Sequence, residues 1–419
     1  MTFKGRFFFG LMIFVFLLTP FCIFAEPLLE QKNLEPAPGG TFVLAVPEYA
    51  EFAVSTARAL AELLQESPYP ANIQIIFLED TASGLDGLFT MPDMLENWVL
   101  CFFDAAEAPH KIIIHHGIRG YIAPLEIVSP LPFLLGSHGI PWSFNIRHNE
   151  VYKLGIVDGH EALSVIWNEE IHGFALAGAQ NGGNPISPET MAKFFIEYSK
   201  SLPFPLLNTD RHYSLVAVPG GGIFFISEGL TAFLLLITTG ALLLFFLIYS
   251  IKYNAVLVFH LKFFYRTLLF FWILLFLLAF SYRINPVLAL LSAILITLLP
   301  SSIYAKIRFP RGPRFYGFYA VISIFAGLLS ATFLDFSFVL VFIWALIFVF
   351  LGAYALNPIL IFSCAFLLLL PAASFLFNIL QAGSTIVTGS WRAAFQISLY
   401  LLPIILLVKR GVILFKPTS

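Results

Sequence analysis

Acidic side chains stand at the ends of apolar runs that have the composition of strands. Glu79 and Asp80 directly follow the run 72–78, and Asp104 follows the run 98–103. A carboxylate at the end of a buried strand has the chemistry of a general base or of a metal ligand. The Glu79-Asp80 pair also has a purely structural interpretation, in which the carboxylates cap the loop after the strand. The residues alone leave both interpretations open.

Histidines form a second group of candidate ligands, because eight of the nine fall within 110–212. A metal-site hypothesis combines imidazole and carboxylate groups of the kinds that zinc prefers. Its candidates are His115, His116, His138, Asp104 and Glu107. Their spacing matches no zinc signature. Surface or loop positions in an acidic domain are therefore the other interpretation.

The composition excludes a purely soluble protein. Of 419 residues, 59% are hydrophobic and 11% are charged, whereas a soluble domain is about half apolar and about a quarter charged. Residues 26–222 hold 9 Lys and Arg against 23 Asp and Glu, and the rest of the chain holds 14 against 2. This division predicts an acidic water-exposed domain joined to a basic membrane-embedded one. Because the acidic domain repels phosphate backbones, nucleic acid is not expected as a partner.

Residues 1–25 have the pattern of a signal peptide or an N-terminal membrane anchor. Lys4 and Arg6 precede the apolar run 7–18. Ile23 is larger than the residue usually found three positions before a cleavage site, so cleavage and retention stay alternative predictions. In both cases the basic residues remain in the cytoplasm and the acidic domain is exported.

The exported domain is predicted over 41–222, after a linker rich in Pro and Glu at 26–40. Apolar strand-like runs alternate with helical periodicity, and Ser187-Pro188 marks the start of a late helix. This alternation predicts a three-layer α/β domain with a mostly parallel sheet. The predicted strands are 41–46, 72–78, 98–103, 111–115 and 173–179, and the predicted helices are 48–65 and 188–202.

The remainder, 223–419, is predicted to be an all-α transmembrane bundle of about seven helices, each near the length that spans a bilayer. They cover 226–250, 265–282, 286–304, 316–334, 336–356, 359–379 and 393–408. With an exported domain, this count puts ten Lys and Arg residues of the loops and tail on the cytoplasmic side, as the positive-inside rule requires. The tail after residue 408, which begins with Lys409 and Arg410, is then cytoplasmic. The chain is predicted to be a multi-pass integral membrane protein.

Four charged residues are predicted near the outer ends of these helices: Glu228, Arg283, Asp335 and Arg392. Charges at that depth are costly unless they are paired or hydrated. They are candidates for binding a lipid headgroup or a substrate tail. Ordinary loop positions, or an ion pair of Glu228 with Arg283, are the alternative.

Several segments of the exported domain resemble, in order, the di-zinc aminopeptidase family. They are 39–47 (GGTFVLAVP), 57–62 (ARALAE), 75–80 (IIFLED), 84–87 (GLDG), 139–141 (GIP) and 186–190 (ISPET). The resemblance implies that Glu79 stands at the position of the general base, Asp80 at a zinc ligand and Asp104 at a further carboxylate ligand. Where the family has a His-x-Asp ligand pair, this chain has 46–48 (VPE), and the loop that carries the bridging Asp is missing. The resemblance therefore implies a degenerate, metal-free domain without a cofactor.

The layout of the whole chain resembles the attachment subunit of the eukaryotic GPI transamidase. That family combines an N-terminal apolar segment, a peptidase-like exported domain without zinc ligands and a helix bundle, inside a multi-subunit membrane complex. The resemblance implies a non-catalytic pseudo-peptidase that positions a protein or lipid-linked substrate at the exoplasmic membrane surface for a partner enzyme. An active zinc metallopeptidase with relocated ligands is the alternative, and a transporter with a large exported lid domain is a third. The host membrane, bacterial or endoplasmic reticulum, stays open.

Overall fold

A computed structural model describes the greater part of the chain. It covers residues 40–66, 72–79, 98–168, 171–181, 183–204, 213–217, 223–250, 264–284, 313–334, 336–381 and 391–415. Five predicted features lie outside these described residues, in whole or nearly so: the segment 1–25, the linker 26–40, Asp80, Asp335 and the helix 286–304.

The first part of the described chain is a mixed α/β structure. Its strands are β1 Thr41–Pro47, β2 Ile73–Leu78, β3 Trp98–Asp104, β4 Lys111–His115, β5 Gly117–Ile118, β6 Tyr121–Ile122, β7 Trp142–Phe144, β8 His172–Ala179, β9 Ser214–Ala217 and β10 Ile223–Ile226. Its helices are α1 Glu51–Glu66, α2 Leu125–Val128, α3 Pro130–Ser137, α4 Asn149–Lys153, α5 Glu161–Asn168 and α6 Pro188–Ser201. All five predicted strands and both predicted helices are present. The predicted and observed starts differ most at α1, which was predicted from residue 48 and begins at Glu51. A turn closed by the hydrogen bond from Ala50 N to Pro47 O first reverses the chain.

Helix α6 begins as the sequence predicts. Ser187 adopts the extended conformation of an N-cap residue, and its Oγ accepts a hydrogen bond from the backbone N–H of Thr190 at 3.2 Å. Pro188 follows at the first helical position, where its missing N–H has no partner to lose.

Six strands form one sheet in the order β2-β1-β3-β8-β4-β7. Strands β2, β1, β3 and β8 run parallel, β4 runs antiparallel to β8, and β7 runs parallel to β4. The predicted mostly parallel sheet is therefore confirmed. Because the carboxyl ends of parallel strands meet at one edge, Glu79 after β2 and Asp104 at the end of β3 lie on the same edge.

The central strands of the sheet are buried on both faces, as their apolar sequences require. Phe42, Leu44 and Val46 of β1 belong to a core under α1 and α6. Val43 and Ala45 point to the other face, where the second core includes residues of α5. The result is a three-layer α/β arrangement, and Cys101 on the central strand β3 is fully buried.

The second part of the described chain is helical. It contains α7 Glu228–Ser250, α8 Phe264–Ile284, α9 Pro313–Leu334, a 3₁₀ turn Phe336–Phe338, α10 Val339–Tyr354, α11 Pro358–Gln381 and α12 Trp391–Phe415. Among the described residues, three stretches are long and apolar enough to cross a membrane: Pro313–Phe333, Pro358–Phe375 and Ala393–Phe415. These stretches suit association with a membrane, whereas the seven spans and the sidedness stay predictions.

Two local features of the helices concern a glycine and a proline. A Cβ on Gly327 of α9 would meet the Phe342 ring of α10 at 2.3 Å, so this small residue allows the two helices to pack closely. Helix α11 begins at Pro358 and continues through Pro371 to Gln381. Pro371 therefore lies within one continuous helix.

Candidate functional site

The carboxyl edge of the sheet brings together two of the predicted site residues. Asp104 ends β3, and its Oδ2 accepts a hydrogen bond of 3.3 Å from the hydroxyl of Tyr49 in the turn after β1. Glu48 and the exposed Glu79 follow the paired residues Pro47 and Leu78, so these two residues stand side by side at the ends of their strands. The edge therefore carries three carboxylates, one of which is oriented by a tyrosine.

A groove of about 600 Å³ opens beside this edge, between α1 and β2. Its lining residues are Glu48, Val54, Ala57, Arg58, Ala61, Ile75 and Phe77. The floor is apolar, and Phe77 is 45% exposed although it lies in a strand. The sequence alone does not reveal this groove, since only the strand order shows that β2 stands at the margin of the sheet.

The predicted histidine ligands occupy separate environments. The rings of His115 and His160 lie 5.2 Å apart, centroid to centroid. Burial, together with the smaller effects of the neighbouring His160 and His116, lowers the pKa of His115 to about 3. The Nε2 atom of His116 is bonded to Asn149 Oδ1 at 2.7 Å, and burial lowers the pKa of His116 to about 4. Both imidazoles are therefore neutral at pH 7.

His138 has a different partner from the one that the metal-site hypothesis supposes. It ends α3, and its Nε2 lies 2.9 Å from Glu197 Oε2 on α6. Within the described ranges, no group of three or more His, Cys, Asp and Glu side chains is arranged to hold a metal ion. The combination of His115, His116 and His138 with Asp104 or Glu107 is thus not gathered at one place.

A buried polar network lies around the short helix α4. Asn149 is fully buried and donates from Nδ2 to the backbone oxygen of Tyr213 at 2.9 Å. Glu150 is 3% exposed and accepts at Oε1 from the hydroxyl of Ser214 at 3.0 Å. Together with the bond from Asn149 to His116, these contacts tie the sheet to the β9-β10 hairpin, which leads into α7. A five-residue helix with buried polar groups has no apolar periodicity, and the sequence analysis missed it.

The α/β part packs directly against α11. The Nε2 of His148 shares a hydrogen bond of 2.9 Å with Ser374 Oγ, and the His148 ring lies 4.7 Å from the ring of Phe375. Ile379, 4% exposed, belongs to the core of the sheet, and Leu154 at the end of α4 belongs to the core of the helices. The contact is mixed apolar and polar and involves residues from both parts.

The four predicted headgroup residues are only partly described. The guanidinium carbon of Arg283 lies 5.8 Å from the centroid of the Trp391 ring, which is a cation-π distance. Trp391 opens α12, and Arg392 is the next residue of that helix. Glu228 is exposed at the start of α7, and Asp335 lies outside the described residues.

At the far end of α12 the structure corrects the predicted tail. Arg410 is 2% exposed and lies inside the helix, which continues to Phe415. Its Nη1 and Nη2 donate to the backbone oxygens of Pro313 at 2.6 Å and Ala355 at 2.7 Å. These carbonyls at the start of α9 and the end of α10 stabilise a buried guanidinium that the sequence analysis had placed in water.

Comparison with known proteins concerns the helical part. Residues 223–419 match the family model TP_0564_2nd, which describes the second domain of a protein family. No curated protein matches the chain at a significant level. The matched region begins at the first residue of β10 and contains α7 to α12. The helical part of this chain is therefore similar to the second domain of that family.

Proposed function

We propose that the protein is a non-catalytic, membrane-anchored, peptidase-like protein that positions a protein or lipid-linked substrate at the exoplasmic membrane surface for a partner enzyme. The observation that carries the proposal is the direct packing of the α/β part onto α11 through His148, Ser374 and Phe375. A domain joined to an apolar helix by side-chain contacts holds its ligand at a defined distance from the bilayer. A positioning function needs such a rigid attachment.

The carboxyl edge of the sheet supports binding more than chemistry. Asp104 is engaged by Tyr49, and the exposed Glu79 follows β2. A co-catalytic zinc pair needs several carboxylates and imidazoles that converge on two metals with a water between them. His116 and His138 are engaged elsewhere, by Asn149 and Glu197. The groove next to the edge supplies instead an apolar surface with one acidic and one basic side chain.

The helical part supports a lipid-linked ligand. Arg283 stacked on the half-exposed Trp391 combines a cation with an amphipathic ring. Aromatic rings and basic side chains of this kind are enriched at the level of lipid headgroups. In the proposed function, this pair would contact the headgroup of the membrane lipid or of the lipid-linked substrate.

The test uses the full-length protein in lipid nanodiscs. A photo-reactive phenylalanine analogue replaces Phe77 in the groove, and the matched control carries it at Phe133, which is 64% exposed on α3. We expect a discrete protein or lipid adduct from position 77 and none from position 133. Equal adducts from both positions would contradict a substrate site on this edge.

A peptidase assay of the same preparation tests the absence of catalysis. The intact protein, supplied with zinc, is not expected to hydrolyse a mixture of peptides, and Glu79→Gln should leave that result unchanged. Zinc-dependent turnover that Glu79→Gln abolishes would overturn the proposal and establish the metallopeptidase alternative.

A further inference from the structure

We infer that the groove between α1 and β2 binds an extended polypeptide segment, which adds to the sheet as a further strand on β2. This inference rests on the proposed function and names its substrate class: a peptide chain with apolar side chains at alternate positions, a basic residue at one end and an acidic residue farther along. Three independent observations lead to it, from the backbone, the side chains and the charges.

The backbone of β2 offers hydrogen-bonding groups on its outer side. Phe42 N–H donates to Asn72 O and Glu48 N–H donates to Leu78 O, both at 2.9 Å. In a parallel pair, the N–H and C=O groups of one residue point to the same neighbour, and successive residues alternate. The even-numbered residues of β2 therefore face β1, and Ile75 and Phe77 direct their N–H and C=O groups away from it. In the described strand order β2 stands first, so β1 is its only described partner.

The side chains of the same residues form the wall of the groove. Ile75 and Phe77 point to the face covered by α1, and both line the groove together with Ala57 and Ala61. The two alanines leave room between the helix and the strand. An added strand would place its alternate side chains in this space, against the exposed ring of Phe77. Main-chain pairing and a side-chain pocket thus lie side by side.

The charges give the added strand a direction. Glu48 lies at the carboxyl end of β1, and Arg58 lies two turns into α1, which runs back from that end. The helix rise separates them by roughly 10 Å, a distance that flexible side chains four positions apart on one face of an extended chain can match. Neither side chain forms an ion pair with another described residue. A segment with a lysine and an aspartate or glutamate four positions apart would present both charges on the face of the added strand that meets the groove, and would match Glu48 and Arg58 at once.

The probe is a fluorescent, terminally blocked seven-residue peptide that alternates valine and threonine and carries one lysine and one glutamate four positions apart, on the same face of the strand. Its binding to the full-length protein in nanodiscs is measured by fluorescence anisotropy. We expect saturable binding with a dissociation constant of about 100 µM or tighter. No saturation up to about 1 mM would overturn the inference.

Two variants at one position separate the backbone from the side chain. Phe77→Ala removes the ring, and Phe77→Pro removes in addition an outward N–H without touching the bonds between β2 and β1. Edge strands tolerate proline at such positions. We expect Phe77→Pro to bind roughly fivefold more weakly than Phe77→Ala. Gln74→Ala, exposed on the opposite face, is the control and should bind as the parent does. Equal affinities of the two Phe77 variants would exclude strand addition.

A charge exchange tests the direction. The double variant Glu48→Lys with Arg58→Glu should lose affinity for the probe and regain it for a peptide in which lysine and glutamate are exchanged. An unchanged preference would refute the charge assignment. Failure of all peptide binding, with adducts at position 77 still formed, would reject the peptide class and leave the proposed function standing. Zinc-dependent cleavage of a bound peptide would reject the proposed function, whereas the inference that the groove binds a peptide would stand.

Discussion

The contact between His148 and Ser374 joins the α/β part to α11, and its energy follows from its geometry. His148→Ala removes the hydrogen bond of 2.9 Å and the ring contact with Phe375 at 4.7 Å. A hydrogen bond of this kind contributes about 1 kcal/mol and an aromatic contact about 0.5 to 1.5 kcal/mol. We therefore expect His148→Ala to lower the unfolding free energy of the α/β part by about 1.5 to 2.5 kcal/mol, and Ser374→Ala by about 1 kcal/mol.

A double-mutant cycle isolates the shared bond. The parent, both single variants and the double variant are unfolded by denaturant as full-length protein in detergent at pH 7, with tryptophan fluorescence as the signal. The coupling energy should be about 0.5 to 1.5 kcal/mol. Ser137→Ala is the control partner, because the Ser137 hydroxyl bonds within α3 to Leu134 O. Its combination with His148→Ala should be additive.

The cycle has a clear contrary result. A coupling energy below about 0.3 kcal/mol, equal to that of the Ser137 control, would mean that the two parts do not share this contact. The rigid attachment on which the proposed function depends would then be refuted.

Two further predictions concern buried ionisable groups. Burial lowers the pKa of His116 from 6.5 to about 4, so between these values the unfolded chain binds a proton that the folded chain does not. The unfolding free energy should fall as the pH falls from 6.5 to 4, by up to about 3 kcal/mol from this residue, and His116→Gln should flatten the pH profile of a denaturant titration. Arg410→Lys cannot bond to both Pro313 O and Ala355 O, and we expect it to lower the stability of the helical part by about 2 kcal/mol. Thermal unfolding in detergent measures this loss, and Arg314→Lys, at an exposed position, is the control. Equal melting temperatures of the two variants would contradict a stabilising contact of Arg410 with the two carbonyls.

Much of the α/β part was predictable because its strands are strongly apolar. The runs that became β1, β3 and β4 are β-branched or aromatic and end at charged or turn residues, which marks their bounds. Parallel order also made it predictable that Glu79 and Asp104 would share one edge. The helix start at Glu51 was missed because the turn after Pro47 depends on a backbone bond, from Ala50 N, that composition does not reveal.

The rest depends on contacts between residues far apart in sequence. Asn149 and Glu150 have the side chains of surface residues. Their burial depends on hydrogen bonds to Tyr213 and Ser214, which lie 64 residues away in sequence. Arg410 was assigned to a cytoplasmic tail because a basic residue normally ends a span. It is buried instead and donates hydrogen bonds to carbonyls at the ends of two other helices. No local sequence pattern indicates these contacts. The groove follows from the position of β2 in the sheet, and strand order is a global property.

The absence of a zinc-dependent site is the central claim, and the zinc content of the purified full-length protein tests it most directly. The protein in nanodiscs is equilibrated with zinc, desalted and analysed for bound metal. The proposed positioning function predicts fewer than about 0.1 zinc per chain. About one or two tightly held zinc ions per chain would contradict it, because the ligands would then have converged on a metal centre.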